Sequence, residues 1–427
     1  MELVVEAKGA LRGEITVPGD KSISHRAAIL GALAEGETVI TGFLPGADCL
    51  ATVRCLQQLG VEIAVDGGEL QVKGAGLYGL KEPDNVLDCG NSGTTARLLL
   101  GVLAGQPFFS LLTGDASLRR RPKGRVPKPL QEMGARFFGR QGGNLLPLAV
   151  QGGSLSAVKY KTPVASAQLK SAILLAGLFA EGETVVTEPE QSRDHTERML
   201  AAFGAELGVG GTTVRLVGRP RLKGRAITVP GDISSAAFFL VAAAIVPGSE
   251  VLVRNVGVNP TRTGILDVLR RMGARVDVLH SRSFGEEPVA DLLVRPGKLR
   301  GVEIGGPLIP RLIDELPVLA VAALFAAGRT VVRDARELRV KETDRIAAVA
   351  EELAKIGGVV ATTEDGFIIE GGQRLAGGCA DSRHDHRMAM ALAVAGLRAN
   401  APVCIDNAEC VNVSFPDFAA TLARLQE

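Results

Sequence analysis

The sequence predicts an α/β protein of two similar domains assembled from six copies of one unit. Three observations carry that prediction. The segment Ile15-Thr16-Val17-Pro18-Gly19-Asp20 returns as Ile227-Thr228-Val229-Pro230-Gly231-Asp232, close to the midpoint of the 427 residues. Each copy leads into a helix of small and apolar residues, then a Gly, then a β-branched run, and that order of events recurs six times. A second, amphipathic helix follows in the units, and five of these end on a hydrophobe-Gly pair.

The first helices are expected over residues 23–33, 94–103, 167–179, 235–245, 313–325 and 388–397. They are apolar nearly all round, which argues burial on every side. Five of them meet a Gly near their end, Gly36, Gly105, Gly182, Gly248 and Gly328, at spacings of 69, 77, 66 and 80, so the unit is about 70 residues long. The β-branched runs that follow include Thr38-Val39-Ile40, Thr184-Val185-Val186, Val251-Leu252-Val253 and Thr330-Val331-Val332. Among the second helices, residues 263–272 place Ile265, Leu266, Leu269 and Met272 on one face, and residues 343–356 do the same with Ile346, Val349, Leu353 and Ile356. The closing pairs are Leu59-Gly60, Met133-Gly134, Phe203-Gly204, Met272-Gly273 and Ile356-Gly357. Each unit therefore reads β-α-β-α-β, with one buried and one surface helix.

Composition narrows the function. Basic and acidic residues balance at 48 and 47, so no global field points to nucleic acid or an anionic membrane, and a cationic site must be local. The six Cys form no C-x-x-C pair and no zinc spacing, which suits reduced thiols of the cytoplasm, some of them buried. Met1-Glu2-Leu3 begins no signal peptide, and no apolar run reaches about 18 residues. A monomer free of nucleic acid and membrane is the expectation, with neither cofactor nor metal.

Polar residues gather at the starts of the buried helices. These are Lys21-Ser22, Asn91-Ser92-Gly93-Thr94, Ser166-Ala167-Gln168, Ser234-Ser235, Asp314-Glu315 and Asp385-His386-Arg387. Parallel helices would bring three such starts together in each half, and their dipoles would favour anions there. Around Gly19-Asp20-Lys21-Ser22 the choice lies between an anion cradle completed by Arg26 and an ordinary helix cap. It is not a P-loop, because Asp20 intervenes and no Gly stands four residues before Gly19. The loop Leu118 to Arg125 reads as a solvated charge run or as a substrate clamp suited to phosphate and carboxylate. In Leu338 to Arg345 the acids suit a helix start, while Lys341 and Arg345 are unfavourable to its dipole and suggest a bound anion. Ser382 to Arg387 is a weak metal candidate beside an anion-binding helix start, and Ser192 to Glu197 has the character of a capping box. Gly208 to Gly211 reads as a hairpin turn.

Taken together, these residues resemble the 5-enolpyruvylshikimate-3-phosphate synthase family over essentially the full chain. The matching segments are Gly19 to Arg26, Asn91 to Arg97, Leu112 to Asp115, Arg121-Pro122, Ser166 to Lys170, Arg339 to Arg345, Asp385 to Ala391 and Phe415 to Asp417. The branch with glyphosate-tolerant members is suggested by Ser166 to Lys170, Ser192 to Glu197 and Asn259 to Arg262. The resemblance implies an inside-out α/β barrel in each domain, of three β-α-β-α-β-β units with buried parallel helices. It implies a discontinuous first domain, residues 1–19 plus 232–427, and a second over 20–231, with hinges near Gly19-Asp20 and Gly231-Asp232. The implied reaction transfers the enolpyruvyl group of phosphoenolpyruvate to the 5-hydroxyl of shikimate 3-phosphate, releasing phosphate, a step of aromatic amino-acid biosynthesis.

Carried over residue by residue, the resemblance gives Asp314 as base at the 5-hydroxyl, Glu342 as acid at the methylene carbon, and Lys21 as a participant. Shikimate 3-phosphate would be bound by Lys21, Ser22, Arg26, Ser166, Ala167, Gln168, Arg193, Asp314 and Lys341, and phosphoenolpyruvate by Lys21, Gly93, Arg121, Gln168, Arg345 and Arg387. Three positions need separate comment. Val413 stands where the family often has Lys, Glu337 where some members have Asn, and Gly93 leaves room that Ala narrows in some tolerant members, so glyphosate is expected to inhibit. The related UDP-N-acetylglucosamine enolpyruvyl transferases use a Cys in the loop corresponding to Thr113–Arg125, and this chain has none there. A non-catalytic anion-binding scaffold would need the cations but neither Asp314 nor Glu342. An RNA-phosphate cyclase-like activity lacks both a nucleotide motif and a basic, aromatic surface.

Overall fold

Six sheets carry the repeat. The computed structural model describes residues 1–427, and its chain divides into two compact units. Unit one is Met1–Pro18, Pro230–Ser283 and Pro288–Glu427; unit two is Gly19–Val229 with Phe284–Glu287. The sequence reading left residues 284–287 in the first domain. They group with unit two instead, where Glu287 meets Nδ1 of His195 at 2.7 Å.

Unit two holds three four-stranded sheets, each opening on a parallel pair and continuing antiparallel. In the first, Ala226–Thr228 lies beside Glu35–Thr41, followed by Glu69–Ala75 and Glu62–Asp66. The other two run Leu87–Asp88, Phe109–Thr113, Leu145–Gln151, Arg136–Gly139 and Lys159–Lys161, Glu183–Thr187, Thr213–Val217, Leu207–Gly210. Unit one has two four-stranded sheets and one of three strands, in which the N-terminal strand Leu3–Val5 pairs with Val403–Asp406. Gly208 and Gly210 thus lie in a strand, and the turn falls at Gly211-Thr212, because the ladder with Thr213–Val217 runs as far as Gly210 opposite Thr213.

The two Pro-Gly-Asp copies are spliced across each other. The strand before the first copy, Arg12–Thr16, pairs in parallel with Glu250–Gly257, which follows the helix after the second copy. The strand before the second copy, Ala226–Thr228, pairs with Glu35–Thr41, which follows the helix after the first. In both copies the Asp caps its helix. Asp20 Oδ1 accepts from the Ile23 amide at 2.9 Å and Asp232 Oδ1 from the Ser234 amide at 2.8 Å.

The buried helices are Lys21–Leu33, Gly93–Ala104 and Ala167–Gly177 in unit two, and Ile233–Ile245, Leu316–Phe325 and His386–Gly396 in unit one. Their all-round apolar character matches their burial, since nearly every residue along them is buried. Close approach is set by small residues. A Cβ on Gly101 would stand 2.2 Å from the Ala172 carbonyl oxygen of the neighbouring helix, so only Gly fits there. The helix expected from residue 313 begins with a 3-10 turn, Ile313–Glu315, and becomes α-helical at Leu316, with Pro317 in its first turn where the missing N–H costs nothing. The outer helices have the expected hydrophobe-Gly endings, and all five glycines, Gly60, Gly134, Gly204, Gly273 and Gly357, have positive φ.

Candidate functional site

The polar starts of the buried helices form one cluster in each unit. In unit two, Gln168 Nε2 donates to Thr94 Oγ1 at 3.0 Å, tying the starts of two helices. Arg26 ties the first helix to the third and to the outer helix His195–Ala202. Its Nη2 donates to Ser171 Oγ at 2.7 Å, its Nε to Thr196 Oγ1 at 2.6 Å, and its Nη1 to the Ser22 carbonyl at 2.9 Å. Ser92 and Ser166 cap the second and third helices, and Ala167 opens the third. Lys21 pairs with Asp48 at 2.6 Å, and both are largely buried.

His25, inside the same motif, faces the core with Nδ1 2.7 Å from Thr52 Oγ1. Burial, with Lys21 and Arg26 adding to it, holds its pKa well below the ordinary imidazole value. It is a neutral packing residue. Arg121 follows the 3-10 turn Leu118–Arg120 and bonds Asn91 through side chain and carbonyl, and Ser117 Oγ at 3.1 Å. Gly93 opens its helix beside this group, since a Cβ there would lie 2.6 Å from Arg97 Nη1 and 3.7 Å from Arg121 Nη1. Arg193 is half-buried just ahead of the His195–Ala202 helix.

The capping-box reading of Ser192 to Glu197 does not hold. The helix starts at His195 behind Asp194, with no side-chain cap, because Ser192 Oγ donates to Glu188 Oε2 at 2.9 Å and Glu197 pairs with Lys170. Lys170 is buried between Glu188 and Glu197, each at 2.7 Å. Burial opposes its charge, and Glu197 and Glu188 outweigh that and raise its pKa. Sequence reasoning missed this triad and the Asp48 partner of Lys21. Partners so distant in sequence leave no spacing signal.

In unit one, Asp314 gathers the cations. Lys341 Nζ lies 3.1 Å from Asp314 Oδ1, Arg345 Nη1 3.3 Å, and Arg387 Nη2 is 3.9 Å from Oδ2. Arg387 Nη1 also donates to the Asp314 carbonyl at 3.2 Å, joining two helix starts, and Ser234 Oγ donates to Glu315 from the third. Arg345 is 1% exposed and bonds Asp385 at 2.8 and 3.2 Å and Glu342 Oε2 at 2.7 Å. Burial works against its charge, and Asp385 and then Glu342 overcome it, raising the guanidinium above its ordinary value.

One expectation changes here. The cation at this helix start has counter-charges within the protein, so its presence is not by itself a sign of a bound anion. The capping role falls to Asp344, whose Oδ1 accepts from Ile346 and Ala347 amides at 3.1 Å each. Asp385 likewise caps its helix through the Arg387 amide at 2.9 Å. Val413 ends the 3-10 turn Ala408–Val413, and Glu337 lies on the 3-10 turn Arg336–Val340. No group of three or more His, Cys, Asp and Glu is placed to hold a metal ion, and no helix is long and apolar enough to cross a membrane.

Comparison with known proteins places the whole chain beside one family. A relative from Desulforudis audaxviator, named 3-phosphoshikimate 1-carboxyvinyltransferase, is 60% identical over 427 residues, covering all of both chains. Another of that name, from Desulforamulus reducens, is 59% identical over 423 residues, 99% of each chain. A solved EPSP synthase from Acinetobacter baumannii superposes with a TM-score of 0.88 at 47% identity, covering 99% of this chain and 98% of that one. The family model for EPSP synthase (3-phosphoshikimate 1-carboxyvinyltransferase) matches residues 5–422. The chain belongs to the EPSP synthase family.

Proposed function

We propose that the chain carries out its family's reaction, transfer of the enolpyruvyl group of phosphoenolpyruvate to the 5-hydroxyl of shikimate 3-phosphate with release of phosphate, and that the two clusters supply its groups. The observation that carries the assignment is the convergence of helix starts and cations in each unit, with Asp314 and Glu342 set among them. Each substrate brings a carboxylate and a phosphate of about −1.5 to −2 near pH 7. Seven cationic side chains offset that charge: Lys21, Arg26, Arg121, Arg193, Lys341, Arg345 and Arg387.

In this reading Lys21 and Arg121 hold the phosphoenolpyruvate phosphate, with Gln168 as a polar contact and Gly93 leaving space. Arg345 and Arg387 take its carboxylate. Ser22, Arg26, Ser166, Ala167, Gln168, Arg193, Lys341 and Lys21 bind shikimate 3-phosphate. Asp314 receives the proton of the 5-hydroxyl as that oxygen attacks. Glu342 delivers a proton to the methylene carbon, which becomes a methyl group in the tetrahedral adduct. The methyl gives a proton back as phosphate leaves, restoring the double bond, and the cations stabilise the departing charge. Lys341 and Arg345, both on Asp314, orient the carboxylate that the hydroxyl meets.

The reading extends to a pair of inside-out barrels with parallel buried helices, hinged at the two Pro-Gly-Asp segments. It extends also to a cytoplasmic monomer inhibited by glyphosate. The test of the reaction is phosphate release from phosphoenolpyruvate with shikimate 3-phosphate, then with UDP-N-acetylglucosamine, as acceptor. Release with the first alone is the expected result; release with neither, despite tight binding of shikimate 3-phosphate, overturns the catalytic reading.

A further inference from the structure

Lys123 is a buried lysine for which the reaction above has no use. It is 1% exposed, and no carboxylate pairs with it. Its Nζ donates to the Arg121 carbonyl at 2.9 Å and the Leu118 carbonyl at 3.3 Å, and its backbone amide donates to the Asn144 carbonyl at 2.7 Å. These two side-chain bonds clasp both ends of the 3-10 turn from which Arg121 departs. Arg97 holds the next carbonyl, that of Pro122, at 3.3 Å, so the Arg121 backbone is fastened on both sides by basic side chains.

The charges around the ammonium come from three elements: Arg121 on its own loop, Arg97 on the Gly93–Ala104 helix, and Cys89 beyond the strand Leu87–Asp88. The Cys89 thiol stays protonated, raised by its hydrogen bond with Cys55 and by burial. An ammonium kept from water beside two guanidinium groups, with no anion to balance it, favours the neutral amine. Burial first, then Arg97 and Arg121, bring Lys123 down to about 6. A neutral amine still has two N–H bonds for the two carbonyls, and a lone pair left to take a proton.

We propose that Lys123 is a positioning residue for Arg121, clasping the turn that presents its guanidinium and taking up a proton when a phosphate settles against Arg121 and Arg97. The proposal rests on the reading of Arg121 as a phosphate ligand. A bound dianion supplies the missing counter-charge and raises the pKa of the amine. The sign of the linkage follows. A group whose pKa rises on binding contributes affinity that is full below its free value, near 6, and is lost as pH climbs to its bound value.

The experiment is steady-state phosphate release from phosphoenolpyruvate at saturating shikimate 3-phosphate, from pH 6 to 8.5, for the wild type, Lys123→Met, Lys123→Arg and Arg121→Gln. Above pH 6 the wild-type KM for phosphoenolpyruvate climbs more steeply than that of Lys123→Met, by up to about tenfold per pH unit for one linked proton. Lys123→Met shows a severalfold higher KM at pH 6 with kcat within about twofold. Lys123→Arg keeps a donor and a charge that does not titrate, so it also loses the extra slope, and it decides the matter if the Met variant does not fold. Arg121→Gln raises KM more than tenfold at every pH. An unchanged KM in Arg121→Gln overturns the phosphate reading beneath the proposal. A normal Arg121 effect with equal pH slopes in the wild type and the Lys123 variants overturns the role of Lys123 alone.

Discussion

In the proposed reaction, Asp314→Asn should separate catalysis from binding. The amide is isosteric and keeps an acceptor oxygen for Lys341, now at 3.1 Å, and Arg345, now at 3.3 Å, while losing the charge and the ability to take a proton. Arg345 retains Asp385 and Glu342, so the lost counter-charge falls on Lys341 and Arg387. Their weakened charge-assisted bonds should cost unit one about 1–2 kcal/mol, too little to unfold it. Loss of a general base lowers kcat by about 10²–10⁴, or about 3–5 kcal/mol of barrier. A substrate hydroxyl that keeps a neutral hydrogen bond loses about 1 kcal/mol of binding, near fivefold. The assay pairs kcat for phosphate release at saturating substrates with calorimetric titration of shikimate 3-phosphate. The expected pattern is a kcat loss at least twentyfold larger than the affinity loss, by the ratio of those estimates. A kcat within threefold of wild type would refute the reasoning, and equal losses in both quantities would make Asp314 a binding group.

Three further predictions are independent of that one. Glu342→Gln keeps an acceptor for Arg345 but not the proton, so kcat should fall about 10²-fold or more with substrate affinities within about fivefold; near-normal turnover removes Glu342 from the mechanism. Gly93→Ala puts a Cβ 2.6 Å from Arg97 Nη1, forcing that guanidinium aside and narrowing the space beside Arg121, so the glyphosate inhibition constant should rise severalfold or more; identical constants in the two forms contradict the steric argument. Asp291 is held down to about 2 because the Asn255 amide, Arg282 and His280 outweigh its burial. Its stabilising effect is full above the ordinary carboxyl value near 3.8 and is lost as pH falls toward 2, so thermal melts of Asp291→Asn should lack an acid-sensitive component seen in the wild type between those values.

The repeat was legible because it is written in periodicities that local physics enforces. A helix buried on all sides must be apolar on all sides, and a helix ending in the left-handed region takes Gly. The first rule locates the six buried helices, and the second marks the ends of five outer ones, within a few residues. The cationic motifs were legible for a similar reason, since Lys21, Arg26, Arg121 and Arg345 stand at or near helix starts and turns that composition makes visible. Three local readings misled. Ser192 looked like a cap, yet its hydroxyl serves Glu188; Gly208 and Gly210 looked like a turn, yet they extend a strand; and Arg345 looked uncompensated, yet it meets three carboxylates.

What the sequence determined by itself is therefore much of what is set within one helix or one strand: the six-fold order of elements, the glycine stops of the outer helices, and the basic and polar residues at the helix starts. The tertiary structure alone decided which strand closes which sheet. The exchange of Arg12–Thr16 and Ala226–Thr228 between the two Pro-Gly-Asp copies depends on parallel pairing across more than 180 residues, and no local propensity encodes a partner at that distance. It also decided the ion pairs around the helix starts. Lys21 with Asp48, Lys170 with Glu188 and Glu197, and Arg345 with Asp385 are chosen by burial, because a desolvated charge is tolerable only where the fold has brought an opposite charge within hydrogen-bond reach.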